Sequence, residues 1–208
     1  PQDTRHKIDG AGKGMVIGHV QSGKTSNMLG LMAVASENGY NLFILLSGLT
    51  NALRKQSEKR LMQDLNKSHD EYQKLNMKLT SLENPSLRLG YKDALNRLNL
   101  GPTDRYVTVL LKNKKRLKDM LNWLESETRQ LERLKILIID DEADQASIDS
   151  NQNDGERAAI NKLIVDLTKV DAPRVNYVGY TATPYSCFLN EGFPESLYPK
   201  TFITTLKK

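Results

Sequence analysis

Cysteine occurs once in 208 residues, as Cys187. That scarcity excludes an intramolecular disulfide and any multi-cysteine zinc site, and it fits a reducing, cytoplasmic compartment. Histidine is nearly as scarce. His6, His19 and His69 share no metal-ligand spacing and read as solvated or locally bonded side chains. Long apolar runs are missing as well. Leu42–Leu46 and Ile136–Ile139 fall far short of the ~20 residues a spanning helix requires, and no charged-then-apolar leader opens the chain. No membrane partner and no export are expected.

What remains is the composition of a folded, water-soluble chain: 38% hydrophobic and 26% charged residues, with a mean hydropathy of -0.53. The length suits about one domain with a sizeable core. Thirty Lys and Arg against 25 Asp and Glu leave a net charge of +5 and a pI near 9.2. The excess favours a polyanionic partner, and surplus lysine serving solubility explains it equally. The chain opens on proline, which fits a processed start or a piece of a longer protein.

Short apolar runs alternate with longer stretches of helical period, the pattern of βαβ units in a mostly parallel sheet with helices on both faces, an α/β fold. Strands are expected near Met15–Gly18, Asn41–Leu46, Tyr106–Leu111, Leu134–Ile139 and Val175–Tyr180, and helices near Thr25–Asn38, Asn51–Asn66, Lys114–Thr128 and Glu156–Val170. In the third helix Leu117, Met120, Leu121 and Leu124 recur on one face, so Lys115, Arg116, Lys118 and Asp119 point elsewhere. Met28, Met32 and Trp123 read as packing residues. Lys67–Arg105, interrupted by Asn84-Pro85 and Gly101-Pro102, reads as an irregular insertion, and Asp149–Gly155 as a surface loop.

Three segments carry chemistry. Gly18-His19-Val20-Gln21-Ser22-Gly23-Lys24-Thr25 matches G-x-x-x-x-G-K-[ST], after an expected strand and opening an expected helix. The glycines let backbone amides and the helix N-terminus face phosphate groups, with Gly18, Gln21, Ser22 and Gly23 lining the loop. Lys24 is suited to the β and γ phosphates of ATP, and the Thr25 hydroxyl to Mg2+. Second, the apolar run to Ile139 ends in Asp140-Asp141-Glu142-Ala143-Asp144, acids at the carboxyl end of a buried strand. Asp141 is the choice for the metal, with Asp140 a competitor, and Glu142 for orienting or deprotonating the attacking water. Third, a strand runs into Thr181-Ala182-Thr183-Pro184. Hydroxyls there can bond the acidic cluster and report the γ phosphate, which places Thr181 and Thr183 among the nucleotide-binding residues. Cys187, close to these, reads as a small packed thiol.

In this order the segments resemble motifs I, II and III of the first RecA-like lobe of superfamily 2 helicases and translocases. In detail they look most similar to the Z-one domain family, ATPase modules associated with endonucleases in restriction-like phage defence. Val20-Gln21-Ser22-Gly23-Lys24-Thr25, the run Leu46–Gln56, Ile139–Asp144, Gly179–Pro184 and the closing Leu197–Ile203 carry that resemblance, with Lys67–Arg105 unmatched. The resemblance implies one RecA-like lobe over 1–208, and DNA as partner. It further implies a second RecA-like lobe and a nuclease domain or subunit elsewhere in the parent protein or system. It also implies nucleic-acid backbone contacts for Ser47, Thr50, Arg54 and Gln56 and for the basic cluster at Lys112, Lys114, Lys115, Arg116 and Lys118. A solvated helix face explains the same charges. Because arginine fingers come from the second lobe and are worth roughly 10³–10⁵ in rate, the isolated lobe is expected to hydrolyse ATP weakly or not at all. Two other readings stay open: a nucleotide-gated interaction module without appreciable hydrolysis, and an RNA helicase lobe. The phosphate loop and the Thr-Ala-Thr motif fit the RNA family less closely.

Overall fold

The computed structural model describes residues 11–19, 23–48, 59, 78–81, 98, 100–146, 155–188 and 196–206. In chain order these form β1 (Gly12–Ile17), α1 (Lys24–Glu37), β2 (Leu42–Ser47), β3 (Lys78–Ser81) and β4 (Asp104–Leu111), followed by α2 (Lys114–Glu125) and the single turn α3 (Thr128–Leu131). Then come β5 (Lys135–Asp141), α4 (Ala143–Ala146), α5 (Gly155–Thr168), β6 (Arg174–Thr181), α6 (Tyr185–Phe188) and β7 (Phe202–Thr205). The seven strands make one sheet in the order β3-β4-β2-β5-β6-β1-β7. Every pairing in it is parallel.

The alternating direction of strand side chains divides the interior in two. Leu42, Ile44 and Leu46 of β2, Ile136 and Ile138 of β5, and Val175 and Tyr177 of β6 face one core, covered by α2 and α5 through Leu117, Met120, Trp123, Leu124, Ile160, Ile164 and Leu167. The intervening Phe43 and Leu45, Leu137 and Ile139, and Val178 and Tyr180 face the other, covered by α1 through Met28, Leu29 and Met32. Strands buried on both faces must be apolar at nearly every position, so these read as unbroken runs rather than as alternations. The helix stripes expected from the sequence are the buried ones, and Lys115, Arg116 and Lys118 lie exposed on the outer side of α2. Asn113 starts that helix by accepting a bond from the Arg116 amide at 2.9 Å.

Two elements depart from expectation. β3 lies inside the segment read as an irregular insertion, and β4 begins within it at Asp104. β3 pairs only with β4 at the sheet edge, and Lys-Leu-Thr-Ser offers a single large apolar residue, too little to register as a strand. The closing strand spans Phe202–Thr205, and the Thr201 amide before it donates to the Lys13 carbonyl of β1 at 2.8 Å. The expected helix over Asn51–Asn66 lies outside the described residues apart from Lys59, which is helical, and the loop Asp149–Gly155 apart from Gly155, which opens α5. Among the described residues no helix is long and apolar enough to cross a membrane.

Burial separates two aliphatic helix residues that look equivalent in sequence. Leu124 is 0% exposed between α2 and the sheet, whereas Val34 is 58% exposed on α1. Leu124→Ala is expected to cost roughly 2–5 kcal/mol in urea unfolding, and Val34→Ala about 0.5 kcal/mol or less.

Candidate functional site

Parallel pairing brings the carboxyl ends of the strands to one rim of the sheet. Ile17 of β1 is level with Thr181 of β6, Tyr180 of β6 with Asp141 of β5, and Leu46 of β2 with Asp140. The chain leaving β1 is tied to that rim by the Gly18 amide, which donates to the Thr181 carbonyl at 2.9 Å. The start of the phosphate-loop match at Gly18, the acidic cluster and the Thr-Ala-Thr segment therefore lie on one rim, although the sequence separates them widely.

At the start of α1, Gly23 has φ 78°, a left-handed conformation that glycine adopts without strain. A Cβ on it would meet nothing within 4 Å. Among the described residues no side chain caps this helix, and its first amides and the positive end of its dipole are suited to an anion. Lys24 and Thr25 sit half-buried in that first turn. Tyr180 fixes α1 against the sheet, its hydroxyl donating to Asn27 Oδ1 at 2.8 Å. Burial raises the Tyr180 phenol well above its ordinary range, and the nearby Asp141 charge adds to that.

The acids divide by strand alternation. Asp140 is wholly buried and points to the α2 and α5 side, where it accepts from Lys112 Nζ at 2.9 Å and from the Tyr177 hydroxyl at 2.8 Å. Asp141 takes the opposite side, toward α1. Burial raises its carboxyl pKa first of all, and the neighbouring Glu142 charge does so further. Lys24 and Lys112 act against these, while Asp140 adds a smaller upward push. The residue competing with Asp141 is thus held in an ion pair, and Asp141 is the acid within electrostatic reach of Lys24. Beyond the strand, Asp144 accepts from Thr181 Oγ1 and Thr183 Oγ1, both at 2.6 Å. Partial burial pushes its carboxyl up, but those two bonds, its own backbone amide and Lys112 outweigh this and hold it below the ordinary carboxylate range.

Several expected site residues are placed differently from their expected roles. Lys112 is 0% exposed and its ammonium points inward, so its expected contact with a nucleic-acid backbone is corrected to an internal ion pair. Ser47 is equally buried at the end of β2, which removes its hydroxyl from any such contact. Lys114 is exposed at the start of α2. Thr181 and Thr183 direct their hydroxyls to Asp144, and Thr181 Oγ1 also accepts from the Thr183 amide at 2.9 Å. These are bonds to the acidic cluster of the kind expected from the sequence. Gln21, Ser22, Thr50, Arg54 and Gln56 lie outside the described residues. Cys187 is a buried thiol raised to about 12, mainly by burial and further by Asp144 and Asp140, which disfavours its thiolate.

The donor set suits a phosphate group and a hard divalent cation. Lys24 and the start of α1 could supply positive potential, and Thr25 and Asp141 could supply oxygen ligands. Among the described residues no three His, Cys, Asp or Glu side chains converge as a ligand set. A divalent ion held here would take its other ligands from phosphate and water, the ordinary habit of magnesium.

A parallel sheet with helices on both faces and a glycine-led helix at its carboxyl rim is an α/β fold of the RecA-like kind. No family model matches the chain, and no curated protein matches it. Among solved structures it is similar to the DUF1998 helicase MrfA bound to DNA, at 14% identity and a TM-score of 0.50, covering 95% of this chain and 25% of that one. A second match, the E. coli MS115-1 HORMA:CdnC:Trip13 complex, has 12% identity and a TM-score of 0.33 over 90% of this chain and 59% of that one. The first similarity agrees with a RecA-like fold, and the chain spans about a quarter of that helicase's length.

The Asp144 bonds differ in burial, and their contributions should differ accordingly. Thr181→Val, at a fully buried hydroxyl, is expected to cost about 1.5–3 kcal/mol as the loss of a bond to a charged group. Thr183→Val, at an exposed one, should cost less than half of that. Urea unfolding in an Asp144→Ala background checks the source, since most of the Thr181→Val cost should vanish there.

Proposed function

We propose that this chain is the ATP-binding and hydrolysing lobe of a superfamily 2 helicase-like DNA translocase, related to the Z-one domain family and working beside an endonuclease in restriction or phage defence. The observation that carries this reading is the register that brings the ends of β1, β5 and β6 to one rim, with Lys24 within electrostatic reach of Asp141 and Asp144 bonded to Thr181 and Thr183 alongside. The helicase-type fold supports it, as do the ordered motifs. Lys24 and the first amides of α1, with Gly18, Gln21, Ser22 and Gly23 in the loop, bind and orient the β and γ phosphates. Thr25 and Asp141 are the residues that hold Mg2+, which when bound neutralises charge on the transferred phosphoryl group. Glu142 orients the attacking water and accepts its proton. Thr181 and Thr183 act one step removed, through Asp144, so the strand leading to Tyr185 follows any movement of the acidic turn. Exposed Lys114, Lys115, Arg116 and Lys118 are suited to a DNA backbone through release of its counterions.

The test is calorimetric titration of a non-hydrolysable ATP analogue with Mg2+ into the chain and into Lys24→Ala and Glu142→Gln. Removing the ammonium should weaken binding roughly 10- to 100-fold, as a lost bond to a charged group, while Glu142→Gln should leave affinity within about twofold, as expected of a residue acting on water. Equal affinity in the wild type and Lys24→Ala would overturn the site. Hydrolysis by the full-length polypeptide, with DNA or RNA added at a stated salt concentration, separates the remaining readings. Stimulation by DNA supports the translocase, stimulation by RNA alone the RNA helicase lobe, and binding without turnover the nucleotide-gated module.

A further inference from the structure

Among the described residues Glu142 is the one non-glycine with a positive φ, at 57°. A glutamate side chain disfavours this left-handed conformation, which persists only where the surroundings impose it. The surroundings here are specific. Lys112 leaves the end of β4, its amide donating to the Ser47 carbonyl of β2 at 3.3 Å, and its side chain passes the end of β2 to reach β5. There Nζ lies 2.9 Å from Asp140 Oδ1, 2.7 Å from the Asp141 carbonyl and 2.7 Å from the Glu142 carbonyl. These acceptors come from three successive residues and match the three N–H bonds of an ammonium group, which is 0% exposed. On the other side, Ala143 is packed so closely on Gly179 of β6 that a Cβ there would lie 3.1 Å from Ala143 Cβ.

We propose that Lys112 is a positioning residue for Glu142, its ammonium holding the Asp141 and Glu142 carbonyls so that the turn stays left-handed and the Glu142 carboxylate stays directed at the attacking water. This rests on the reading of Glu142 as the group that takes the proton of that water. Asp140 keeps the ammonium centred, and Tyr177 occupies the second Asp140 oxygen. Arginine cannot substitute, because a planar fork does not meet three convergent acceptors. Loss of the ammonium lets the turn relax to negative φ and moves the carboxylate, while Lys24 and Thr25 on the far side of the sheet keep their places. The consequence falls on turnover and not on affinity.

Removing Lys112 alone would strand the buried Asp140 charge, so the test replaces the network whole, as Lys112→Met, Asp140→Leu and Tyr177→Phe together. Swapping a buried ion pair for apolar side chains of similar volume is often neutral for stability. Lys112→Arg, which keeps a charge beside Asp140, is the second variant should the triple fail to fold. In the full-length polypeptide, kcat for ATP should fall about 10²-fold or more, the usual contribution of a positioned base, with analogue affinity within about twofold of the parent. An unchanged kcat in a well-folded variant would overturn the proposal. A second arm needs no turnover. Glu142→Gly should raise Tm by about 2–4 °C in the parent chain, since glycine adopts this φ freely, and should give no rise in the triple variant, where the turn has relaxed. The same rise in both backgrounds contradicts the proposal. If the parent shows no hydrolysis, the base assignment of Glu142 falls, and the glycine arm still decides whether Lys112 holds the turn.

Discussion

Parallel pairing of β1, β6 and β5 is the constraint on which the rest depends. Strands running in one direction leave the sheet on one rim, so the chain ends at Ile17, Thr181 and Asp141 become neighbours although they lie far apart in sequence. Their register is fixed by burial. A slip of one residue would turn Phe43, Leu137 and Val178 toward the wrong core and exchange the places of Asp140 and Asp141. The same alternation that fills two cores therefore chooses which carboxylate faces α1. Core packing and site geometry are one decision made by β5.

Crowding four acids into Asp140–Asp144 carries an electrostatic cost that the fold must offset. Two unit charges about 5 Å apart repel by roughly 3 kcal/mol at an effective dielectric of ~20, comparable to a large part of a domain's net stability. Three of them are answered, each from a different direction. Asp140 meets Lys112 and Tyr177 on one side of the sheet, Asp141 meets the field of Lys24 on the other, and Asp144 meets two hydroxyls from the end of β6. Burial and the Glu142 charge raise the Asp141 carboxyl, so a cation added beside it would be favourable. A site that stores unmet negative charge beside a lysine and a helix start is suited to a ligand bearing both phosphate and metal.

The five central strands were legible because strands buried on both faces are apolar nearly throughout, as at Phe43–Leu46 and Ile136–Ile139. The phosphate-loop match was legible because glycine, lysine and threonine at fixed spacing have few other uses between a strand and a helix. β3 was not, because Lys-Leu-Thr-Ser at a sheet edge needs only one covered face. The choice between Asp140 and Asp141 was likewise not legible. It depends on where a strand ends to within one residue, and on a partner charge, Lys112, that sits two strands away across β2. A signal was nonetheless present: a carboxylate directly continuing a buried apolar run requires a buried cation, and Lys112 directly continues another such run. Counting it with the exposed lysines of α2 concealed that match. The left-handed turn at Glu142 leaves no trace in sequence, since glutamate has no preference for it.

On the proposed reading the rim of the sheet forms one site for phosphate and a divalent cation, with Asp141 and Thr25 as its protein ligands. A crystal structure of the chain with Mn2+ and a non-hydrolysable ATP analogue tests this most directly, because the anomalous signal of manganese locates the ion independently of the surrounding atoms. The account predicts one peak between Thr25 Oγ1 and the Asp141 carboxylate, about 2.2 Å or one water away from each, with the Lys112–Asp140 pair intact behind it. A peak ligated by Asp140 with Lys112 displaced, or analogue bound away from α1 with no ion at Asp141, would contradict it.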